Sequence, residues 1–245
     1  MANRALIITP TGCPIMEHED YDQGKHWRMT LPERTYDTCV VAFRDDFEPE
    51  PGSYDMLIRK KGYKYKLIPQ IADMIKWEDY DYIGCWDDDY ATDVRSVNRS
   101  LELARRFDFR FFQQAVTSFN TFPCLRHNPD LLFTETNFVE SGIVFFRNDM
   151  FRKLLAFLRA YDYNESEWGI DKILAYLFQG TAHVVHDVTA RHMREDESWY
   201  DKANAHREME YLMREFFPRY MLDTYGVVYK YTDVQQEIRA YKNAQ

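Results

Sequence analysis

Asp81-Tyr-Ile-Gly-Cys-Trp-Asp-Asp-Asp-Tyr90 decides the reading of this chain: an uncharged run from Tyr82 to Trp86 leads straight into three consecutive carboxylates. The run has the length and character of a buried strand. Three adjacent carboxylates repel one another unless something positive sits against them. In an extended chain the side chains of Asp87 and Asp89 point the same way, because strand geometry has a period of two. They are therefore expected to converge on one cation while Asp88 faces elsewhere. A hard divalent ion with oxygen ligands, Mg²⁺ or Mn²⁺, fits that chemistry and leaves coordination positions for a substrate diphosphate. The rival reading is a solvated acidic turn that caps the next helix.

Working outward, strand-length apolar runs recur at Ala5 to Thr9, Thr38 to Phe43, Phe109 to Val116 and Phe138 to Phe146, with helical spacings between several of them. That alternation predicts an α/β fold with a mostly parallel central sheet flanked by helices. In such sheets the ligand crevice lies beyond the carboxyl ends of the strands, where the triplet falls. Val97, Leu101 and Ala104 mark a helix capped by Thr92 or Asp93, and Phe151, Leu154, Leu155 and Leu158 mark another capped by Asp149. Ile170, Ile173, Leu174 and Leu177 mark a third, with Gly180 as its left-handed stop. His183 to Asp187 reads as a strand, and Arg191 to Tyr200 as a charged loop. Beyond it, Met209, Leu212 and Phe216 share a helical face, followed by a Tyr-rich strand at Val227 to Tyr231 and a short terminal helix. The chain divides accordingly into one domain over residues 1–198 and a C-terminal helical and aromatic extension over 199–245 packed on it. Asp45 to Ser53, with its prolines and glycine, is the clearest exposed loop.

At 245 residues and 45% apolar content the chain can bury a substantial core. A net charge of -9 disfavours unspecific capture by nucleic acid or anionic membrane. Cys13, Cys39, Cys85 and Cys124 show no paired metal-ligand spacing and read as reduced packing thiols. No apolar run approaches the ~20 residues needed to cross a bilayer, and the first residues carry no signal-peptide pattern, so a cytoplasmic location is expected. A Gly-rich phosphate loop with a Walker-type lysine is missing, which ranks a Mg²⁺-dependent nucleotidyltransferase or phosphohydrolase low.

Tyr80 to Tyr90 resembles the Trp-Asp-Asp-Asp segment of the DUF707 family, a group with GT-A (Rossmann-like) glycosyltransferase character. Asn137-Phe-Val-Glu-Ser-Gly142, Glu167-Trp-Gly-Ile-Asp171 and His186-Asp-Val-Thr-Ala-Arg-His192 are similar to later segments of that family and follow in the same order. The matches span roughly Tyr63 to His192. Thr117 to Thr136 departs from the family pattern in a region that commonly shapes the acceptor side, and the charged, aromatic tail after His192 is extra.

The resemblance implies transfer of a sugar from a nucleoside diphosphate sugar, UDP-linked, to a hydroxyl acceptor such as a glycan. That chemistry needs neutralisation of the leaving diphosphate, positioning of the sugar and removal of the acceptor proton. Asp87 and Asp89 are expected to hold the ion, with His192 as third ligand and Asp88 on the ribose or sugar. Asp171, at a helix start, is the expected base, with Glu140 and Glu167 as rivals and Trp168 stacked on a sugar face. Thr9-Pro10-Thr11-Gly12 is expected as a polar turn after the first strand that contacts the base or ribose, and Asp45 after the second strand as a partner for uracil or ribose. Within the basic stretch Arg59-Lys-Lys61, Lys64 and Lys66, the expected diphosphate contact is Lys66. Arg191 and Arg194 flank His192 and are placed to close over the phosphates, while His183 and His186 read as structural. A second reading keeps the enzyme class but makes the acceptor a hydroxylated base in DNA, lying along a channel from Arg95, Arg99, Arg105 and Arg106. A third, non-enzymatic reading is a degenerate sugar-binding module.

Overall fold

A computed structural model describes residues 4–15, 22–118, 121–163, 165–193, 201–229 and 236–242. Its strands are β1 (Ala5–Thr11), β2 (Tyr36–Ala42), β3 (Met56–Arg59), β4 (Tyr82–Trp86), β5 (Tyr90–Ala91), β6 (Phe111–Val116), β7 (Leu131–Thr136), β8 (Ile143–Arg147), β9 (Ala182–His192) and β10 (Glu237–Lys242). Its helices are α1 (Lys64–Ile71), α2 (Val94–Phe107), α3 (Asn148–Ala160), α4 (Ile170–Leu177), α5 (Lys202–Tyr211) and α6 (Phe217–Tyr225), with a π-helical turn at Leu212–Phe216 joining the last two.

One sheet runs in the order β10-β7-β9-β6-β8-β4-β1-β2-β3, with β5 paired to β9. The expectation of a mostly parallel sheet is corrected. β1, β2, β3 and β4 are mutually parallel, but β8 inserts antiparallel between β4 and β6, and β7 and β10 add antiparallel pairs at the far side. β8 follows β7 through residues 137–142 without a helix, is separated from it by β9 and β6, and runs in the same direction as β7, opposite to both of its own neighbours β4 and β6. Period-two alternation divides the core into two layers. Leu6 and Ile8 face the layer made by α1, α3, α4 and the C-terminal helices, while Ala5 and Ile7 face the layer made by α2, Trp27 and Tyr36. Leu212, Met213, Phe217 and Met221 belong to the first layer.

Several boundaries differ from the sequence expectation for identifiable reasons. Asp93, not Thr92, caps α2 by accepting the Ser96 N–H at 2.6 Å. Asp149 lies inside the first turn of α3 rather than capping it, and its carboxylate is held by Arg147 at 2.8 Å. After α4 it is Gln179, at φ 51°, that takes the left-handed turn. Gly180 is needed for space instead, since a Cβ there would stand 2.4 Å from Arg110 Nη1. The expected terminal helix is the edge strand β10, and residues 227–229 are not a strand. The rest of that Tyr-rich run lies outside the described residues, as do Arg194 and most of the charged loop after His192. Among the described residues no helix is long and apolar enough to cross a membrane.

Candidate functional site

The chain runs outward from β1 to β2 and β3, then returns to β4 on the other side of β1. The crevice at such a reversal lies at the carboxyl ends of β1 and β4. Thr11 closes β1 there and the aspartate triplet follows β4. The Asp87 N–H donates to the Gly142 carbonyl at 2.7 Å, so the turn that starts β8 lies against the triplet. β4 ends at Trp86, residues 88 and 89 form a turn, and each carboxylate of the triplet has its own partner. Asp87 Oδ1 accepts from Lys64 Nζ at 2.5 Å. Asp88 Oδ2 accepts from the Thr11 hydroxyl at 2.5 Å and the Cys13 thiol at 3.2 Å. Asp89 Oδ2 lies 3.1 Å from His192 Nε2.

Lys64 is the residue that the sequence left undistinguished within its basic stretch. It opens α1, its side chain is 2% exposed, and its ammonium also donates to the Ser141 carbonyl at 3.0 Å and lies 3.7 Å from Glu167 Oε2. Burial alone would lower its pKa, but Asp87 and Glu167 outweigh burial and raise it. Lys66, the expected diphosphate contact, is instead paired with Glu165. Helical geometry explains the difference: two residues apart, positions 64 and 66 face opposite sides of α1. Asp45 is exposed and paired with Lys61 at 2.6 Å.

Glu167 sits at φ 68°, a left-handed conformation uncommon for a residue with a side chain. That backbone directs its carboxylate to the Tyr65 N–H, 2.8 Å away at the start of α1, and to Lys64. Burial pushes Glu167 up to about 7. It likewise pushes Asp87 up to about 6 and Asp171, in the first turn of α4, up to about 6. Glu140 is also raised by burial, and its backbone N–H is held by Gln113 Oε1 at 2.6 Å. Tyr90 binds Glu140 through its hydroxyl and stacks on His192 with ring centroids 4.7 Å apart. Burial would lower His192, but Asp89, Glu140 and Asp87 together raise it. Trp168 meets the His206 ring of α5 edge-on at 4.7 Å.

Thr9-Pro10-Thr11 is the last part of β1 rather than a turn after it. Thr9 is fully buried and its hydroxyl has no hydrogen-bond partner, while Pro10 is partly exposed. Behind Asp88 lies Arg28, also unmarked by the sequence reading. Its guanidinium is wholly buried, reaches Glu50 Oε2 at 3.3 Å, and leaves Nε and Nη1 without partners. Arg28 carries no local motif, and only the fold brings it within electrostatic range of Asp88. His183 and His186 are structural, as expected: His183 stacks on Phe109 at 4.0 Å, and His186 engages the Asn128 N–H at 3.1 Å and the Thr134 hydroxyl at 3.2 Å.

Among the described residues no three His, Cys, Asp or Glu side chains stand in a ready-made metal-ligand arrangement. The fit to a cation rests instead on the Asp89–His192 pair and on Asp89 Oδ1, which is buried without a partner. A buried carboxylate oxygen left unpaired is costly. A hard divalent ion, completed by ligand oxygens, would satisfy it.

No protein-family model matches this sequence, and a comparison with curated proteins gives no match. Among solved structures, S. aureus TarS 1-349 in complex with UDP-GlcNAc aligns at 10% identity and a TM-score of 0.46, over 89% of this chain and 72% of that one. TarS 1-349 without the nucleotide sugar aligns at 11% identity and a TM-score of 0.45, over 90% of this chain and 72% of that one. A197 from STIV aligns at 14% identity and a TM-score of 0.39, over 76% and 84%. At these values the functional reading is left to the residues.

Proposed function

We propose that this chain is a metal-dependent glycosyltransferase of the GT-A type, which moves a sugar from a nucleoside diphosphate sugar, UDP-linked, to a hydroxyl acceptor such as a glycan. The observation that carries the reading is the orphaned Asp89 oxygen in the triplet whose Asp87 is held by the buried Lys64 ammonium, at the carboxyl ends of β1 and β4.

Each demand of the reaction has a candidate group. Mn²⁺ or Mg²⁺, held by Asp89, Asp87 and His192, would supply Lewis-acid neutralisation of the leaving diphosphate. Lys64 adds fixed positive charge at the same place without reorganising. Thr11 and Asp88 mark the β1 end, where a ribose or base would be recognised, and the fully buried Thr9 and the free donors of Arg28 lie behind them. Asp171 is the base for the acceptor hydroxyl: burial lifts it to about 6, close to the pH at which it must gain and lose a proton. Glu140 and Glu167 are already engaged, with Tyr90 and with Lys64 and the Tyr65 N–H, which favours Asp171 over them. In this reading residues 1–198 form the transferase domain and 199–245 an extension on it.

The test is a screen of UDP-, GDP- and dTDP-sugars for Mn²⁺-dependent thermal stabilisation and slow hydrolysis, with Asp89→Ala as control. One nucleotide sugar is expected to stabilise the parent and be hydrolysed, and the variant to do neither. Binding by no nucleotide sugar, or equal binding by the variant, refutes the reading.

A further inference from the structure

Glu208 lies on α5, beyond the motifs that carry the candidate site residues. It is 1% exposed, although glutamate is almost never fully buried without partners. Its partners are backbone groups of the segment that carries Glu167. Oε1 accepts the Glu165 N–H at 3.0 Å, and Oε2 accepts the Ser166 N–H at 2.9 Å. The Ser166 hydroxyl and the Glu167 N–H also bear on this carboxylate. A carboxylate gathering successive N–H groups holds a tight backbone turn, because the donors must all point to one side.

Two further contacts press α5 onto the same segment. Gly169, at φ 91°, lets Met209 approach so closely that a Cβ there would stand 3.0 Å from Met209 Cγ. Trp168 packs on His206. Glu167, Trp168 and Gly169 are thus gripped from outside by Glu208, His206 and Met209. On the inside Glu167 takes its left-handed backbone and reaches Lys64 and the Tyr65 N–H. Left-handed geometry at a residue with a side chain persists only where its surroundings hold it.

We propose that Glu208 is a positioning residue for the candidate site: it fixes the Glu165–Glu167 turn, so that Glu167 holds Lys64 against Asp87. The α5 helix is then part of the site's construction, through the sequence Glu208, Glu167, Lys64, Asp87. The catalytic consequence rests on the glycosyltransferase reading, whereas the structural linkage can be read without it.

The test uses the full chain with Glu208→Gln and Glu208→Ala. The amide is isosteric but presents an NH₂ to one of the two backbone donors, so the glutamine variant keeps a folded protein available should the alanine variant not fold. Lys64 acylation by acetic anhydride and Tyr65 amide hydrogen exchange report the inner end of the linkage. Labelling of the Cys39 thiol, buried in β2, reports global opening. The expected result is faster Lys64 acylation and Tyr65 exchange by about tenfold, the scale of one lost charge-assisted hydrogen bond. Cys39 labelling stays unchanged. Unchanged Lys64 and Tyr65 rates in a folded variant overturn the proposal, and so does a rise matched by Cys39, which would make Glu208 a general stabiliser. Donor hydrolysis is measured alongside, with a fall in kcat expected. If Lys64 responds but the parent hydrolyses no nucleotide sugar, the positioning role stands and the glycosyltransferase reading fails.

Discussion

Replacing Lys64 by methionine keeps the length of the side chain and removes its charge. The consequence follows from where that charge sits: Nζ is 2.5 Å from Asp87 Oδ1, 3.0 Å from the Ser141 carbonyl and 3.7 Å from Glu167 Oε2, on a side chain 2% exposed. Removing one member of a buried pair leaves the other charge uncompensated, which costs about 3–5 kcal/mol. Asp87 retains 41% exposure and water offsets part of the loss, so the low end, about 3 kcal/mol, is expected at neutral pH and above. That is a large share of the roughly 5–15 kcal/mol by which domains are stable. Glu167 gives the pH dependence. Its folded value is about 7 against an ordinary 4.5, so the stability its carboxyl contributes is fully present below about 4.5 and lost as pH rises through about 7. Lys64 limits that rise. Without it the folded value climbs further, and the deficit of Lys64→Met grows as pH rises through about 7 toward the variant's higher value and persists above it. Urea unfolding of parent and variant in the presence of a chelator, at about pH 4.5 and about pH 8, measures the two deficits. A deficit below about 1 kcal/mol at pH 8, or one equal at both pH values, refutes the assignment of Lys64 as the counter-charge of this site.

Gly142→Ala places a methyl 2.6 Å from Tyr90 Cε2 and 2.9 Å from Asp87 Oδ2. Tyr90 is buried and stacked on His192 and cannot swing aside, so the variant is expected to lose about 1–3 kcal/mol, read from the denaturant midpoint, and to bind donor more weakly. An unchanged midpoint and unchanged binding would place Tyr90 elsewhere. For Asp171, kcat/KM of the parent is expected to rise with pH through about 6, because the base works once deprotonated. Asp171→Asn should abolish that limb and lower the rate by roughly 10²–10⁴-fold. A limb that survives in the variant assigns the base to another group.

What the sequence made legible was what is local in the chain. Tyr82 to Trp86 reads as a strand, and is one, because its apolar run is continuous and bounded by acids. The stripe of α2 is legible for the same reason, through a sustained helical period and a capping aspartate. Strand direction was not legible: Ile143 to Arg147 has the same composition whether it runs with β4 or against it. β3 and β7 went unread because Met56–Arg59 is short and Leu131–Thr136 follows a region without clear periodicity. Within the site, the motif-bearing residues Asp87 to Asp89, Glu140, Glu167, Asp171 and His192 were nameable in advance. Lys64 was indistinguishable from Lys66 until the face of α1 was known, and Arg28 and Glu208 had no local signature at all.

Charge connects the residues that were read to those that were not. Asp87, Asp88, Asp89, Glu140, Glu167 and Asp171 supply carboxyl groups to one crevice, and the described cations beside them include Lys64, Arg28, His192 and, next to Asp171, Lys172. Each cation is already drawn to a particular acid: Lys64 to Asp87, Arg28 to Glu50, His192 to Asp89 and Lys172 to Asp171. A diphosphate entering that crevice alone would meet a surplus of its own sign. The reading as a diphosphate-sugar site therefore requires positive charge to arrive with the ligand, and Asp89 Oδ1, buried and unpaired, is the oxygen placed to receive it. Acids with paired cations alone would make a structural ion-pair network. Under the proposed reading, the orphaned Asp89 oxygen, in the same triplet as the Lys64-bound Asp87, is what would separate a binding site from such a network.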